Sequence, residues 1–423
     1  MIDLFPLTAA LLAILLGSAL IQVVLGCGFG WKLGRFRREL LPDERCPRCV
    51  VVLCLRGSDP FLVRCLDAIL DQDYPSFLVR IVVDHPDDPA LRVVEEVLER
   101  RGHERVEVVP LRAPGGRSSL KCSSLVQAAA ACEDSVEFLA QLDADTIPHR
   151  TWLRELATAL SDDGVGAVTG NRWYMPDDAN WAALTRYAWN AAAVVQMYWY
   201  RIAWGGTLAI RMAVIREVRL LERWSQAFCE DTMLFRLLHE KGWNVRFVPS
   251  LMMINRETCD MPGFCRWVSR QLLTARLYHP YWPAVVLHGL GTTIVLAAAD
   301  VGLAAALVGG QLENAAWLVS GIVGYELVMF GMLMWFEFLV RRIARSRGEQ
   351  VAWLSPWRTL RVFLAIPLTQ CLYVPTLLTA MRLREVEWRG VTYRIGGPWD
   401  VRLVEYRPYQ PRGEAAETSA ASL

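Results

Sequence analysis

With 423 residues, 53% of them hydrophobic, the chain is long enough for one large domain together with membrane segments. A formal net charge of +1 argues against nucleic acid as the main partner, because phosphate binding normally shows as a basic excess. The 11 cysteines are scattered, and most fall in stretches that read as cytoplasmic, which argues against structural disulfides.

From Leu4 to Trp31 there is no charged residue, which suffices for a membrane helix of about 20 apolar residues. Lys32, Arg35, Arg37 and Arg38 follow at once, and the positive-inside rule then places the downstream chain in the cytoplasm. A cleaved signal peptide carries positive charge ahead of its apolar region, and Met1-Ile2-Asp3 carries none. Residues 4–31 therefore read as an uncleaved transmembrane anchor. Cys46-Pro47-Arg48-Cys49 has the spacing of a zinc half-site, but no second Cys or His pair completes it. Cys49 more simply opens the first strand.

Residues 46–260 read as one catalytic domain. Strands are expected at Cys49–Leu55, Val79–Val83, Val106–Val109 and Val136–Leu142, then Ala167–Thr169. Helical patterns at Pro60–Leu70, Ala90–Arg101 and Leu120–Ala131 lie between them. Such alternation implies an α/β fold with a doubly wound, mainly parallel sheet. Ligands of these sheets bind beyond the carboxyl ends of the strands.

Several polar groups fall at that edge. Asp84 ends the second strand, where a carboxylate can reach a ribose or base. Gly115-Gly116 with Lys121 gives a pliant loop and a cation suited to phosphate. Asp143-Ala144-Asp145 closes the fourth apolar run, and residues i and i+2 of a strand share a side. Two adjacent carboxylates repel unless a cation neutralises them, and Mg²⁺ or Mn²⁺ bridging to a diphosphate suits that role. Each feature alone has a plain structural counterpart: a helix cap, a solvated loop, a surface lysine.

Between Trp181 and Trp204 aromatic residues crowd one helical stretch, Trp189, Trp199 and Trp204 among them. Their density favours an acceptor site at the level of lipid headgroups over an aromatic core helix. Gly205-Gly206-Thr207 allows close backbone approach to a ligand. In Glu230-Asp231, Asp231 is either a general base or a helix cap. Residues 261–283 read as an interfacial helix, on which Arg266 and Trp267 either clamp a diphosphate and stack on a ring, or anchor the helix.

Ala284–Gly310 and Ala315–Val340 form a transmembrane hairpin over 284–340, closed by Gln311-Leu312-Glu313-Asn314. Of the acids inside it, Glu337 is expected to pair with Arg341. In the basic region 341–409, the apolar run 362–381 contains Pro367 and Pro375, and either spans or lies re-entrant in the interface. Residues 410–423 read as a disordered tail.

Asp84, Asp143-Ala144-Asp145, Glu230-Asp231 and Arg266-Trp267, in that order and spacing, resemble the signature of membrane-bound inverting glycosyltransferases of family 2. The ceramide glucosyltransferases are especially similar, down to the ending Trp388-Arg389-Gly390-Val391-Thr392-Tyr393-Arg394. The likeness covers roughly residues 5–397. It departs at Gly263, where the family carries Gln or Arg; Arg270 or Gln271 is the candidate replacement.

The resemblance implies a GT-A fold, a UDP-glucose or UDP-galactose donor and a membrane-lipid acceptor at the bilayer. The expected chemistry is a single displacement with inversion: Asp231, beside Glu230, is the base, and Asp145 with Asp143 holds Mg²⁺ or Mn²⁺. Asp84, Lys121, Asp143, Arg266 and Trp267 are expected to bind the nucleotide sugar, and Trp189, Trp199, Trp204, Gly205 and Gly206 to border the acceptor. A processive polysaccharide synthase and a non-catalytic lipid-binding scaffold are the competing readings. The sequence is silent on oligomeric state.

Overall fold

The computed structural model describes residues 4–36, 39–112, 115–178, 180–407 and 409. Arg37 and Arg38 of the basic cluster, Met1–Asp3 and the tail 410–423 lie outside the described residues.

The apolar N-terminal stretch is one helix, α1 (Phe5–Gly34), with Pro6 in its first turn where no amide bond is lost. Cys49 opens β1 (Cys49–Leu55), as expected. Then come α2 (Leu62–Leu70), β2 (Phe77–Val83), α3 (Pro89–Arg101), β3 (Val106–Pro110), α4 (Leu120–Ala130) and β4 (Phe138–Leu142). The chain continues through α5 (Trp152–Leu160), β5 (Val165–Tyr174), α6 (Trp181–Tyr200), β6 (Thr207–Arg211), α7 (Met212–Glu217), α8 (Leu220–Trp224), α9 (Leu234–His239) and β7 (Asn244–Asn255).

These strands build a seven-stranded sheet in the order β3-β2-β1-β4-β6-β5-β7. The four strands from β3 to β4 are mutually parallel, while β6 runs antiparallel to both β4 and β5. The sheet is thus mainly parallel, as the sequence predicts. Strand β5 is much longer than Ala167–Thr169. It carries an irregularity between Thr169 and Asn171, where a Cβ on Gly170 would overlap the Leu251 carbonyl of β7. The polar residues beyond this kink hide the strand from a hydrophobic pattern.

After β7 come α10 (Met261–Tyr278), α11 (Trp282–Val308), α12 (Leu312–Ser346) and α13 (Pro356–Arg382). Helices α1, α11, α12 and α13 are long and apolar enough to cross a membrane. Gly26 and Gly30 leave room on α1 for the side chains of Met332 and Trp335 of α12. Asp300 is exposed, whereas Glu337 is buried. Glu337 pairs with Arg341 at 2.5 Å, as expected, and also accepts from Trp173 Nε1 (2.5 Å) and the Tyr187 hydroxyl (3.0 Å). This acid ties the helical hairpin to the sheet domain.

Helix α13 runs unbroken through Pro367 and Pro375. Ahead of it, Arg347 donates to the Ser250 and Met252 carbonyls of β7, and at its start Arg358 donates to Pro176. Near its end Ser269 bonds the Thr376 carbonyl, and Arg276 bonds those of Ala380 and Leu383. It is followed by β8 (Glu385–Trp388), β9 (Val391–Gly397) and β10 (Asp400–Tyr406), an antiparallel sheet. That sheet docks on the domain through Leu120 N to the Tyr393 hydroxyl (3.2 Å) and Leu403 N to the Gly116 carbonyl (3.0 Å). The start of α13 therefore contacts the catalytic domain, its end contacts α10, and the sheet that follows it docks on the catalytic domain. One consequence is that α10, expected in the interface, is largely buried, with α13 bonded along it.

Candidate active site

Three adjacent parallel strands deliver the first polar groups. Arg56, Asp84 and Asp143 are each the first residue beyond β1, β2 and β4, and the register pairs Leu55 with Val83 and Leu53 with Leu142. All three line one cavity of about 740 Å³. Asp84 is buried and ion-paired to Arg56, with the Tyr406 hydroxyl 3.3 Å from the same carboxylate oxygen. Burial raises its pKa and the Arg56 guanidinium counteracts this. Its Oδ1 is buried with no protein partner among the described residues, an acceptor left for a ligand hydroxyl or amide.

Lys121, from the first turn of α4, lies 2.6 Å from Asp143 Oδ1 and 2.6 Å from Glu230 Oε1. Burial opposes its charge, yet the two carboxylates overcome this and hold the ammonium well above the usual lysine range. The same triad keeps Asp143 low against its own burial, whereas burial, partly offset by Lys121, pushes Glu230 up to about 7. Gly205 is required here, because a Cβ at that position would overlap the Glu230 carboxylate. Gly205→Ala is expected to lower activity at least tenfold by displacing Glu230 from Lys121. Steady-state transfer assays check this, and wild-type rates in the variant would show that the triad tolerates displacement.

Asp145 is in a different electrostatic position. Burial and the nearby acids Glu257, Asp143 and Asp59 drive its pKa well above the carboxylate range, so uncompensated negative charge converges on this point. Asn255 Nδ2 reaches its Oδ2 at 3.5 Å and Thr146 its Oδ1 at 3.1 Å. Among the described residues no cluster of three or more His, Cys, Asp or Glu is placed to enclose a metal. The donor set fits a hard divalent cation that takes part of its shell from phosphate oxygens and water. Asp231 is held by the Gly205 amide (2.8 Å to Oδ2) and the Thr232 hydroxyl (2.9 Å to Oδ1), and it too lines the cavity.

Arg172, Arg270 and Arg389 line the same cavity. Burial, together with Arg172 and Arg389, lowers the Arg270 pKa to about 10, the mark of crowded guanidinium groups. Trp388 lies under Arg270 at 4.9 Å, and Arg389 donates to the Arg56 carbonyl at 2.8 Å. Clustered guanidinium groups suit a diphosphate.

The cavity gathers Asp84, Lys121, Asp143, Asp145, Glu230, Asp231, Trp189, Trp199, Trp204 and Gly205. It does not gather Arg266 or Trp267. Arg266 is exposed, and Trp267 is buried edge-on against Tyr174 and Trp189. Arg270 and Gln271, one turn later, line the cavity instead. Gly206 packs against the Trp204 ring, and the Gly115-Gly116 loop bonds Ser123 and Leu403 without lining the cavity. Arg56, Arg172 and Arg389 were missed as site residues. Arg56 follows its strand just as Asp84 does, and Arg389 lies within the Trp388–Arg394 ending.

The chain belongs to glycosyl transferase family 21, whose model matches residues 10–398. Its fold is the GT-A fold. It is similar to a mannosyltransferase of Pyrobaculum calidifontis solved with GDP-Man and Mn²⁺, at 20% identity and a TM-score of 0.52, over 88% of this chain and 99% of that one. A probable glycosyltransferase, YdaM, of Bacillus subtilis (strain 168) is 25% identical over 226 residues; the match spans 50% of this chain and 51% of that relative.

Proposed function

We propose that the protein transfers a hexose from a nucleoside-diphosphate sugar, UDP-glucose or UDP-galactose, to a hydroxyl of a membrane lipid, with inversion. The observation that carries this reading is the continuity of one cavity from Asp143, Asp145 and Asp231 to residues of α1, α11, α12 and α13, helices apolar enough for a bilayer. An acceptor hydroxyl can thus reach the acids from the membrane side without leaving the protein.

In the reaction, the acceptor oxygen attacks the anomeric carbon as the bond to the diphosphate oxygen breaks. Asp231 takes the hydroxyl proton, and the nucleoside diphosphate leaves with the bonding electrons. Arg270 and Arg172 face the growing charge of the leaving group. Asp145, with Asp143 beside it, would hold Mg²⁺ or Mn²⁺, which adds positive charge at the diphosphate. Asp84 and Arg56 hold the nucleoside end. Glu230, buried and paired to Lys121, positions the triad.

The deciding experiment supplies purified protein with total lipid extract, Mn²⁺ or Mg²⁺ and labelled UDP-sugars. Label on a small lipid, lost on chelation, is expected. Label in a water-soluble polymer would point to a synthase, and no transfer at all to a binding scaffold.

The basic residues Lys32, Arg35, Arg341, Arg342 and Arg345, at the domain-side ends of α1 and α12, support a catalytic domain on the cytoplasmic face. Because its start contacts that domain and the sheet that follows it docks there as well, α13 is read as lying along the membrane surface, with Trp357, Leu360, Leu364 and Met381 exposed. Epitopes placed at Gly348 and after Tyr409 are expected to be accessible from the catalytic-domain side of sealed vesicles. Access to the second only from the opposite side would mean that α13 crosses.

A further inference from the structure

A second cavity, of about 90 Å³, lies where the end of β5 meets the last turns of α12 and the start of α13. Three guanidinium groups line it, those of Arg256, Arg341 and Arg358, together with the carboxylates of Asp177 and Glu337. Both carboxylates are already engaged: Asp177 pairs with Arg256 at 3.0 Å and Glu337 with Arg341 at 2.5 Å. Arg358 donates to the Pro176 carbonyl and has no ion pair among the described residues, which leaves the site one positive charge in excess. Arg341 is 3% exposed and Tyr174 1%, and both line the cavity. Arg341 Nη1 and the Tyr174 hydroxyl are buried with no hydrogen-bond partner among the described residues. Orphaned buried donors are costly, and two of them beside a guanidinium without an acid call for an anion rich in acceptor oxygens.

We infer that this cavity binds the phosphate of an anionic phospholipid, at a site separate from those of donor and acceptor. Its rim favours a lipid over a soluble anion. Trp353 lines the cavity and is exposed, with the guanidinium of Arg345 4.2 Å and that of Arg341 5.8 Å from its ring. Trp357, in the first turn of α13, is exposed as well, and Arg361, one turn on, lies 4.9 Å from the exposed Trp181 ring. Exposed indoles interleaved with arginines suit the headgroup level of a bilayer. Given the placement of the catalytic domain proposed above, the site faces the cytoplasmic leaflet, whose anionic lipids are held by basic pockets of this kind. Phosphate oxygens accept from Arg358, Arg341 Nη1 and the Tyr174 hydroxyl, while the chains pass over Trp353 and Trp357 into the membrane. The bound lipid thereby braces the end of β5, two residues beyond Arg172, whose guanidinium lies 5.9 Å from the same Tyr174 ring and which lines the active site.

The test titrates the full-length protein in neutral detergent with phosphatidylglycerol, with phosphatidylcholine of the same chains, and with inorganic phosphate. Apparent affinities are read from the rise in Tm, and transfer plays no part in the readout. The wild type is expected to bind phosphatidylglycerol about tenfold more tightly than either of the others. Arg358→Gln is expected to raise the Kd for phosphatidylglycerol about tenfold, through loss of one charge-assisted hydrogen bond. Arg342→Gln removes an exposed charge from the same end of α12 outside the cavity, and is expected to leave that Kd within about twofold. Equal affinity for the two lipids overturns the proposal, and so does an equal loss in Arg342→Gln and Arg358→Gln, which would mean a diffuse basic surface. A shift with inorganic phosphate as large as that with phosphatidylglycerol overturns the lipid assignment in favour of a soluble anion. Should Arg358→Gln fail to fold, judged by lost UDP binding, Tyr174→Phe decides: it removes only the orphaned hydroxyl, and an unchanged Kd for phosphatidylglycerol in that variant overturns the site.

Discussion

Lys121→Met is expected to abolish transfer and to destabilise the protein by about 3–5 kcal/mol, the usual consequence of removing one partner from a buried ion pair. The lysine stands between Asp143 and Glu230 at 2.6 Å from each, and Glu230 is almost wholly buried. Without the ammonium, the carboxylates of Glu230 and Asp143 lose the cation that bonds both of them, with Asp231 close by. Glu230 is already pushed up to about 7 by burial even with Lys121 present, so it has little tolerance for losing that charge. Thermal or denaturant unfolding of the single variant measures the loss. Adding Glu230→Gln to Lys121→Met removes one of the stranded charges and is expected to restore part of the stability but not the activity. A Lys121→Met protein within about 1 kcal/mol of wild type would mean that the carboxylates find other neutralisation at small cost.

The same residue shows how far the sequence reaches. Lys121 was legible as a cation near the site, because it opens a helix close to the carboxyl edge of the sheet. Its two carboxylate partners were not, since Asp143 and Glu230 arrive from distant segments. The sheet itself was legible wherever strands are buried on both faces and read as continuous β-branched runs, as in Cys49–Leu55. It was least legible in β5, where Gly170, Asn171 and Arg172 follow the kink and carry no hydrophobic pattern. That loss had a functional cost, because Arg172 lies on the overlooked half of the strand.

Arg266 and Trp267 lie outside the cavity for a related reason. A motif fixes spacing along a helix, but which face meets the cavity depends on what packs behind it. Here Tyr174 and Trp189 take Trp267 into the core, and the turn after it turns Arg270 and Gln271 to the site. The course of α13 was open for a different reason. Length and apolarity satisfy a span, and only the contacts at its two ends, far apart in sequence, bear on the choice.

Asp231→Asn is expected to reduce kcat by about 10²–10⁴-fold, the usual worth of a positioned base, with UDP affinity changed no more than about twofold. Two acids stand side by side at this point, and their surroundings separate their roles. Glu230 is buried and fixed on Lys121. Asp231 is only partly buried and borders the cavity. The Gly205 amide and the Thr232 hydroxyl each donate to one of its oxygens, bonds that fix its orientation. An asparagine keeps the shape but accepts no proton, so donor binding survives while the acceptor hydroxyl stays protonated as it attacks. Single-turnover transfer from labelled donor, with UDP binding by calorimetry, separates the two steps. Loss of UDP affinity in step with kcat would instead assign Asp231 to donor binding. Glu230→Gln provides the contrast: it loosens Lys121, so its defect is expected to include weaker donor binding and lower stability, which a pure base variant does not show.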